Sequence, residues 1–116
     1  MDNKTYLELS DRTCKHIDTD ATIDPKRYDL LHATLGIAGE SGEIVDAVKK
    51  HVIYNKPLDI VNMREEIGDI MWYIALACRT LDFNLGEILD ENIIKLAKRY
   101  PEKYSDEHAS LRLDKK

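Results

Sequence analysis

Glu66-Ile67-Gly68-Asp69-Ile70-Met71-Trp72-Tyr73-Ile74 is the stretch whose reading decides the fold of this chain. Its apolar residues extend in both directions at helical spacing. Ile60, Met63, Ile67, Ile70, Met71, Ile74, Ala77 and Cys78 form one stripe of a helix, not the alternation of a strand. Asp59 stands where an N-cap belongs, so the spacing predicts a helix over about Asp59–Leu81. Glu66 and Asp69 sit i, i+3 inside it. At that spacing two side chains lie about 60° apart around the axis and about 4.5 Å apart along it, aimed at one point.

Upstream, Asn55-Lys56-Pro57-Leu58 reads as a turn, preceded by a long helix over about Pro25–Tyr54 that Asp24-Pro25 would open. Leu30, Leu31, Thr34, Leu35, Ile37, Ala38, Ile44, Val45, Val48 and Val52 form its apolar stripe. Gly36, Gly39 and Gly42 fall inside that helix, each costing up to about 1 kcal/mol relative to Ala. Their spacing points to one narrow face, used for close packing or for substrate access; a break near Gly39 is the alternative. Downstream, Asp82-Phe83-Asn84 turns the chain into a helix over about Leu85–Tyr100, which carries Ile88, Leu89, Ile93, Leu96 and Ala97, with Pro101 as its stop. A first helix over about Lys4–Ile17 carries Tyr6, Leu9, Thr13, Cys14 and Ile17, and the polar stretch Asp18–Thr22 follows. The class is all-α: an antiparallel helical bundle of about four helices over residues 1–101, with a polar C-terminal tail over 102–116.

The 116 residues suit one domain, and one small enough that a second copy would help to bury its apolar faces. A net charge of −5 argues against a nucleic-acid-binding surface. Cys14 and Cys78 stand far apart with no C-x-x-C pattern, as in a reducing cytoplasm. Met1–Ser10 is polar and reads as no signal peptide, and the apolar run Ile70–Cys78 is too short to span a bilayer. The expectation is a soluble cytoplasmic protein.

A second acid pair, Glu40-Ser41-Gly42-Glu43, repeats the i, i+3 spacing in the preceding helix. From Glu43 to the turn is about 16–18 Å of helix axis, and from the turn to Glu66 about 10–12 Å, a difference the Pro57 loop can absorb. Packed helices lie about 8–10 Å apart, so Glu40, Glu43, Glu66 and Asp69 can share one ion. Such pairs on amphipathic helices commonly mark a solvated face. Here Glu40 and Glu43 sit among Gly39, Gly42, Ile44 and Val45, and Asp69 borders the most apolar run of the chain. Four converging carboxylates repel unless a hard divalent cation lies between them, which points to Mg²⁺ and to phosphate chemistry. Lys50, at i+7 from Glu43, can reach a phosphate or stand as a surface lysine. Trp72 and Tyr73, at i+3 and i+4 from Asp69, can stack on a base or pack in the core. His16, His32, His51 and His108 form no ligand pattern with these acids, and Asp29-x-x-His32 reads as incidental. The lack of Glu-x-x-His argues against a di-iron bundle.

Three segments together resemble the MazG-like, all-α nucleoside triphosphate pyrophosphohydrolases, over about Leu30–Pro101. They are Leu35-Gly36-Ile37-Ala38-Gly39-Glu40-Ser41-Gly42-Glu43, Glu65-Glu66-Ile67-Gly68-Asp69-Ile70-Met71-Trp72-Tyr73, and Asn92-Ile93-Ile94-Lys95-Leu96-Ala97-Lys98-Arg99-Tyr100-Pro101. The resemblance implies Mg²⁺-dependent cleavage of a nucleoside triphosphate to the monophosphate and pyrophosphate. It implies Glu40, Glu43, Glu66 and Asp69 as metal ligands, and Asn92, Lys95, Arg99 and Tyr100 as contacts to phosphates or sugar. It also implies a homodimer or homotetramer with the site completed near a subunit interface. Many relatives read E-E-x-x-E at the first motif, with the leading acid a candidate for activating water; that position is Gly39 here. Either Glu40 or Glu43 then orients the water while also touching metal, or another residue does so; Glu43 is taken as the candidate general base. Two other readings stand beside nucleotide-pool house-cleaning: a phosphoribosyl-ATP pyrophosphohydrolase, and a non-catalytic helical interaction module.

Overall fold

The computed structural model describes residues 1–16 and 23–115. It is all-α: helices α1 (Asn3–Asp11), α2 (Pro25–Ile53), α3 (Ile60–Leu81), α4 (Leu85–Arg99) and α5 (Asp106–Leu111) precede a 3₁₀ turn at Leu113–Lys115. The chain divides into two compact units, Met1–Asp82 and Phe83–Lys116.

Each start is written locally. Asp2, Asp24, Asp59, Asn84 and Ser105 each accept a hydrogen bond from the backbone N–H three residues on, which satisfies a donor that the first turn leaves unpaired. Pro25 opens α2, where its missing N–H costs nothing. Asp82, in the left-handed conformation at φ 56°, ends α3. Between α2 and α3, Asn55 takes φ 54° and the His51 Nδ1–H donates to the Lys56 carbonyl at 2.8 Å.

In the first unit α2 and α3 form a hairpin. Gly36 lies against the Tyr73 ring, and Glu43 meets Glu66 further along, so positions rise on one helix as they fall on the other. The long helix does not break at its glycines. A methyl group on Gly36 would overlap the Tyr73 ring, whereas Gly39 and Gly42 face open space. α1 is fastened across α3 by Arg79, whose Nη1 donates to the Leu7 carbonyl at 2.9 Å and whose Nε lies 3.3 Å from Asp11.

Three expectations are corrected. The first helix stops at Asp11 rather than near Ile17, which lies outside the described residues along with Asp18–Thr22. Thr13, placed by spacing on the apolar stripe, instead uses its hydroxyl to accept the Trp72 indole N–H at 2.8 Å. The apolar stripes are also less buried than their periodicity suggests. Ala33, Ala75, Leu76 and Cys78 are buried, but Leu35, Val45, Val52 and Ile67 are more than half exposed. α2 and α3 are apolar on more than the one face that each presents to the other.

In the second unit the polar tail is folded. The Asp114 carboxylate, fully buried, accepts from Arg99 Nε at 3.0 Å and Nη2 at 3.2 Å, with Arg112 Nε at 3.5 Å. These arginines, Arg99 foremost, hold its carboxyl well below the usual carboxylate range.

Candidate functional site

The α2–α3 hairpin brings three of the four acids together. Glu40, Glu43 and Glu66 each offer a carboxylate oxygen, and these lie within 4.8 Å of one another. The local cause is register: i, i+3 pairs on two antiparallel helices meet where their inward faces cross. Glu66 is the buried member, at 7 % exposure, while Glu43 stands at the open edge. One oxygen of Glu66 and one of Glu40 are buried with no hydrogen-bond partner among the described residues. Asp69 is not in this trio; it is exposed and shares a neighbouring pocket with Glu40.

Three carboxyls this close cannot all ionise cheaply. Hydrogen bonding with Glu40 and then Glu43, together with burial, pushes the Glu66 carboxyl up to about 8. At neutral pH Glu66 therefore holds a proton between two acceptors. A group of hard oxygen donors that must share protons is also one that a hard divalent cation can neutralise.

Two clefts flank the trio. One, of about 580 Å³, runs toward the hairpin turn and is lined by Gly39, Gly42, Glu43, Lys50, Lys56 and Glu66 among others. The absence of side chains at Gly39 and Gly42 is what opens it. Lys50 stands in this cleft, with its Nζ 2.8 Å from Asp46. The other cleft, of about 400 Å³, is bounded by Thr13, Glu40, Asp69, Trp72 and Tyr73. Trp72 and Tyr73 meet edge to face at 5.1 Å, and His32 sits 6.0 and 5.7 Å from their rings. Both aromatic residues are half-buried and line the cleft.

Asn92, Lys95 and Arg99 follow one another at i, i+3 and i+7 along one face of α4. Asn92 and Lys95 are exposed, whereas Arg99 is engaged by Asp114 and its guanidinium lies 5.9 Å from the Tyr100 ring. Sequence reasoning missed Thr13 and His32 at the aromatic cleft. No spacing rule links Thr13 to a tryptophan 59 positions away. The four-residue step from Tyr28 to His32 was legible, since it places both rings on one helix face at 6.3 Å.

No described helix is long and apolar enough to cross a membrane. A family profile described as the MazG nucleotide pyrophosphohydrolase domain matches residues 30–104. Among curated proteins, the chain is 37% identical over 76 residues to the "Gene 37 protein" of Mycobacterium phage L5. The aligned region covers 60% of this chain and 65% of that protein, so the chain spans a little under two thirds of that relative. No solved structure matches.

Proposed function

Because the chain belongs to the MazG nucleotide pyrophosphohydrolase domain family, we propose that it is an Mg²⁺-dependent enzyme that hydrolyses (d)NTPs to the monophosphate and pyrophosphate. The observation that carries this reading is the buried Glu66 beside Glu40 and Glu43, with one oxygen of Glu66 and one of Glu40 lacking a partner among the described residues. The donor set fits the ion: all three ligands are hard oxygens. Glu40, Glu43 and Glu66 would hold it, with Asp69 joining from the Glu40 side.

When bound, Mg²⁺ supplies positive charge to the phosphate oxygens. The rest falls to the side chains. Hydrolysis takes one water to the α-phosphorus and releases pyrophosphate, so it needs an aligned water and a stabilised leaving group. Glu43, at the open edge of the trio, is the candidate to orient that water and accept its proton, because Gly39 offers no carboxylate. Lys50 faces the same cleft and would steady phosphate oxygens after leaving Asp46. Trp72 and Tyr73, half-buried at the wall of the neighbouring cleft, are the proposed surface on which a base would stack. Asn92, Lys95, Arg99 and Tyr100 are the proposed contacts to phosphates or sugar.

Exposed apolar side chains on α2, including Val45, Val48 and Val52, support a homodimer or homotetramer. The substrate class and the reading of the cysteines as free thiols support nucleotide-pool house-cleaning in the cytoplasm. The test is pyrophosphate release from the common and oxidised dNTPs with and without Mg²⁺. Glu66→Gln should lower turnover about a hundredfold or more with helical content unchanged. Full activity in that variant, or release that ignores Mg²⁺, would sink the reading. Cleavage of phosphoribosyl-ATP alone would redirect it to that substrate, and no cleavage with no Mg²⁺ binding would leave a non-catalytic module.

A further inference from the structure

A second group of metal-capable side chains assembles away from the carboxylate trio, just after α1. Cys14, His16 and Asp29 each present a ligand atom, and these lie within 4.8 Å of one another. Cys14 and His16 belong to the chain that leaves α1, whereas Asp29 sits in the second turn of α2. The donors are one sulfur, one nitrogen and one oxygen, a set unsuited to Mg²⁺ and suited to Zn²⁺ and its neighbours.

The two ring nitrogens of His16 are engaged differently. Nε2 lies 2.9 Å from Asp11 Oδ1, and Nδ1 faces Asp29 Oδ2 at 3.6 Å. A metal-bound imidazole usually donates its other N–H to a carboxylate, which fixes the tautomer and turns the ligating nitrogen outward. Asp11 fills that role here. A His16 cation bridging two aspartates would account for both nitrogens, but not for the rest of the cluster. The Asp29 side chain is 16% exposed, and its Oδ1 is buried with no hydrogen-bond partner among the described residues. The Cys14 thiol is pushed up by burial and by the Asp29 carboxylate, against the opposing pull of Arg79.

Charge and size agree. With a thiolate formed, Cys14, Asp11 and Asp29 carry three negative charges, and Arg79, 3.3 Å from Asp11, carries one positive. A divalent ion brings the assembly to neutrality. Tetrahedral Zn²⁺ with ordinary bond lengths spaces its donors about 3.3–3.7 Å apart. The His16–Asp29 pair, at 3.6 Å, already meets that spacing, and no pair among the three exceeds 4.8 Å, so at most about 1 Å of closure is needed.

We propose that Cys14, His16 and Asp29 form a thiolate–imidazole–carboxylate site for a borderline-soft divalent cation of the Zn²⁺ type, separate from the acid trio and fastening the chain after α1 to α2. Three protein ligands leave its fourth position open.

Co²⁺ is the probe. The full-length protein, stripped with chelator and held in excess Mg²⁺, should bind about one equivalent of Co²⁺ with a near-ultraviolet sulfur-to-metal charge-transfer band, and Zn²⁺ should bleach it. Cys14→Ser should remove the band, and Asp29→Asn should weaken apparent affinity about tenfold or more. Cys78→Ala and Glu66→Gln should keep it. Should Cys14→Ser fail to fold by circular dichroism, His16→Gln carries the same test through a loss of affinity. No band in the parent protein, a band that survives Cys14→Ser, or one lost in Cys78→Ala would overturn the proposal. Pyrophosphate release plays no part in this readout, so the outcome is independent of the activity.

Discussion

A carboxyl raised to about 8 beside two other carboxyls gives up its proton when pH rises or when something positive arrives. For Glu66 this sets both the direction and the window of the pH response. Its folded value lies above the ordinary 4.5, so its contribution to stability is full below about 4.5 and is lost as pH rises through about 8. Without metal, the melting temperature should therefore fall between pH 6 and pH 9, less so in Glu66→Gln. Added Mg²⁺ should reverse the fall. Mg²⁺ binding near pH 7 should also release a proton, visible as a dependence of calorimetric heat on buffer ionisation and absent in Glu66→Gln. A second contrast concerns glycine. Gly36→Ala should cost about 1–3 kcal/mol in urea unfolding, because the methyl group meets the Tyr73 ring. Gly39→Ala, which meets nothing, should gain up to about 1 kcal/mol. The sequence showed that three glycines shared a face. It could not show that only Gly36 is under a ring, because that contact depends on the partner helix.

Helix starts and the α2–α3 turn were legible because capping is local. Asp24 and Asp59 carry the signal within three residues of the bond they make. Asp59→Ala should destabilise the hairpin by about 1 kcal/mol in chemical unfolding, with little change in the slope against denaturant. The end of α1 was not legible, since no glycine or proline follows Asp11 and the helical spacing runs on to Cys14. Around that end the contacts come from far along the chain: Trp72 donates to the Thr13 hydroxyl, and Arg79 meets Leu7 and Asp11. The acid trio was half legible. Period placed both pairs on facing helices, but only the register sets Glu40, Glu43 and Glu66 together while Asp69 turns to the next pocket.

Across the whole molecule, periodicity overstated burial, and the excess apolar surface carries a prediction of its own. If a second copy covers the groove of Ile44, Val45, Val48, Val52 and Ile53, the melting temperature should rise with protein concentration. Val48→Glu should convert the assembly to a smaller species by light scattering while circular dichroism stays helical. A parent protein that scatters as a monomer at all concentrations would contradict this. The tail holds a last consequence. The family match ends at residue 104, yet the carboxylate that neutralises Arg99 arrives ten positions later, at Asp114. An expression clone trimmed to the edge of the matched region would strip a guanidinium of its counter-ion and open the interior that Asp114 fills. The edge of the family match is therefore not the edge of the folded body, and truncations should be cut beyond the 3₁₀ turn.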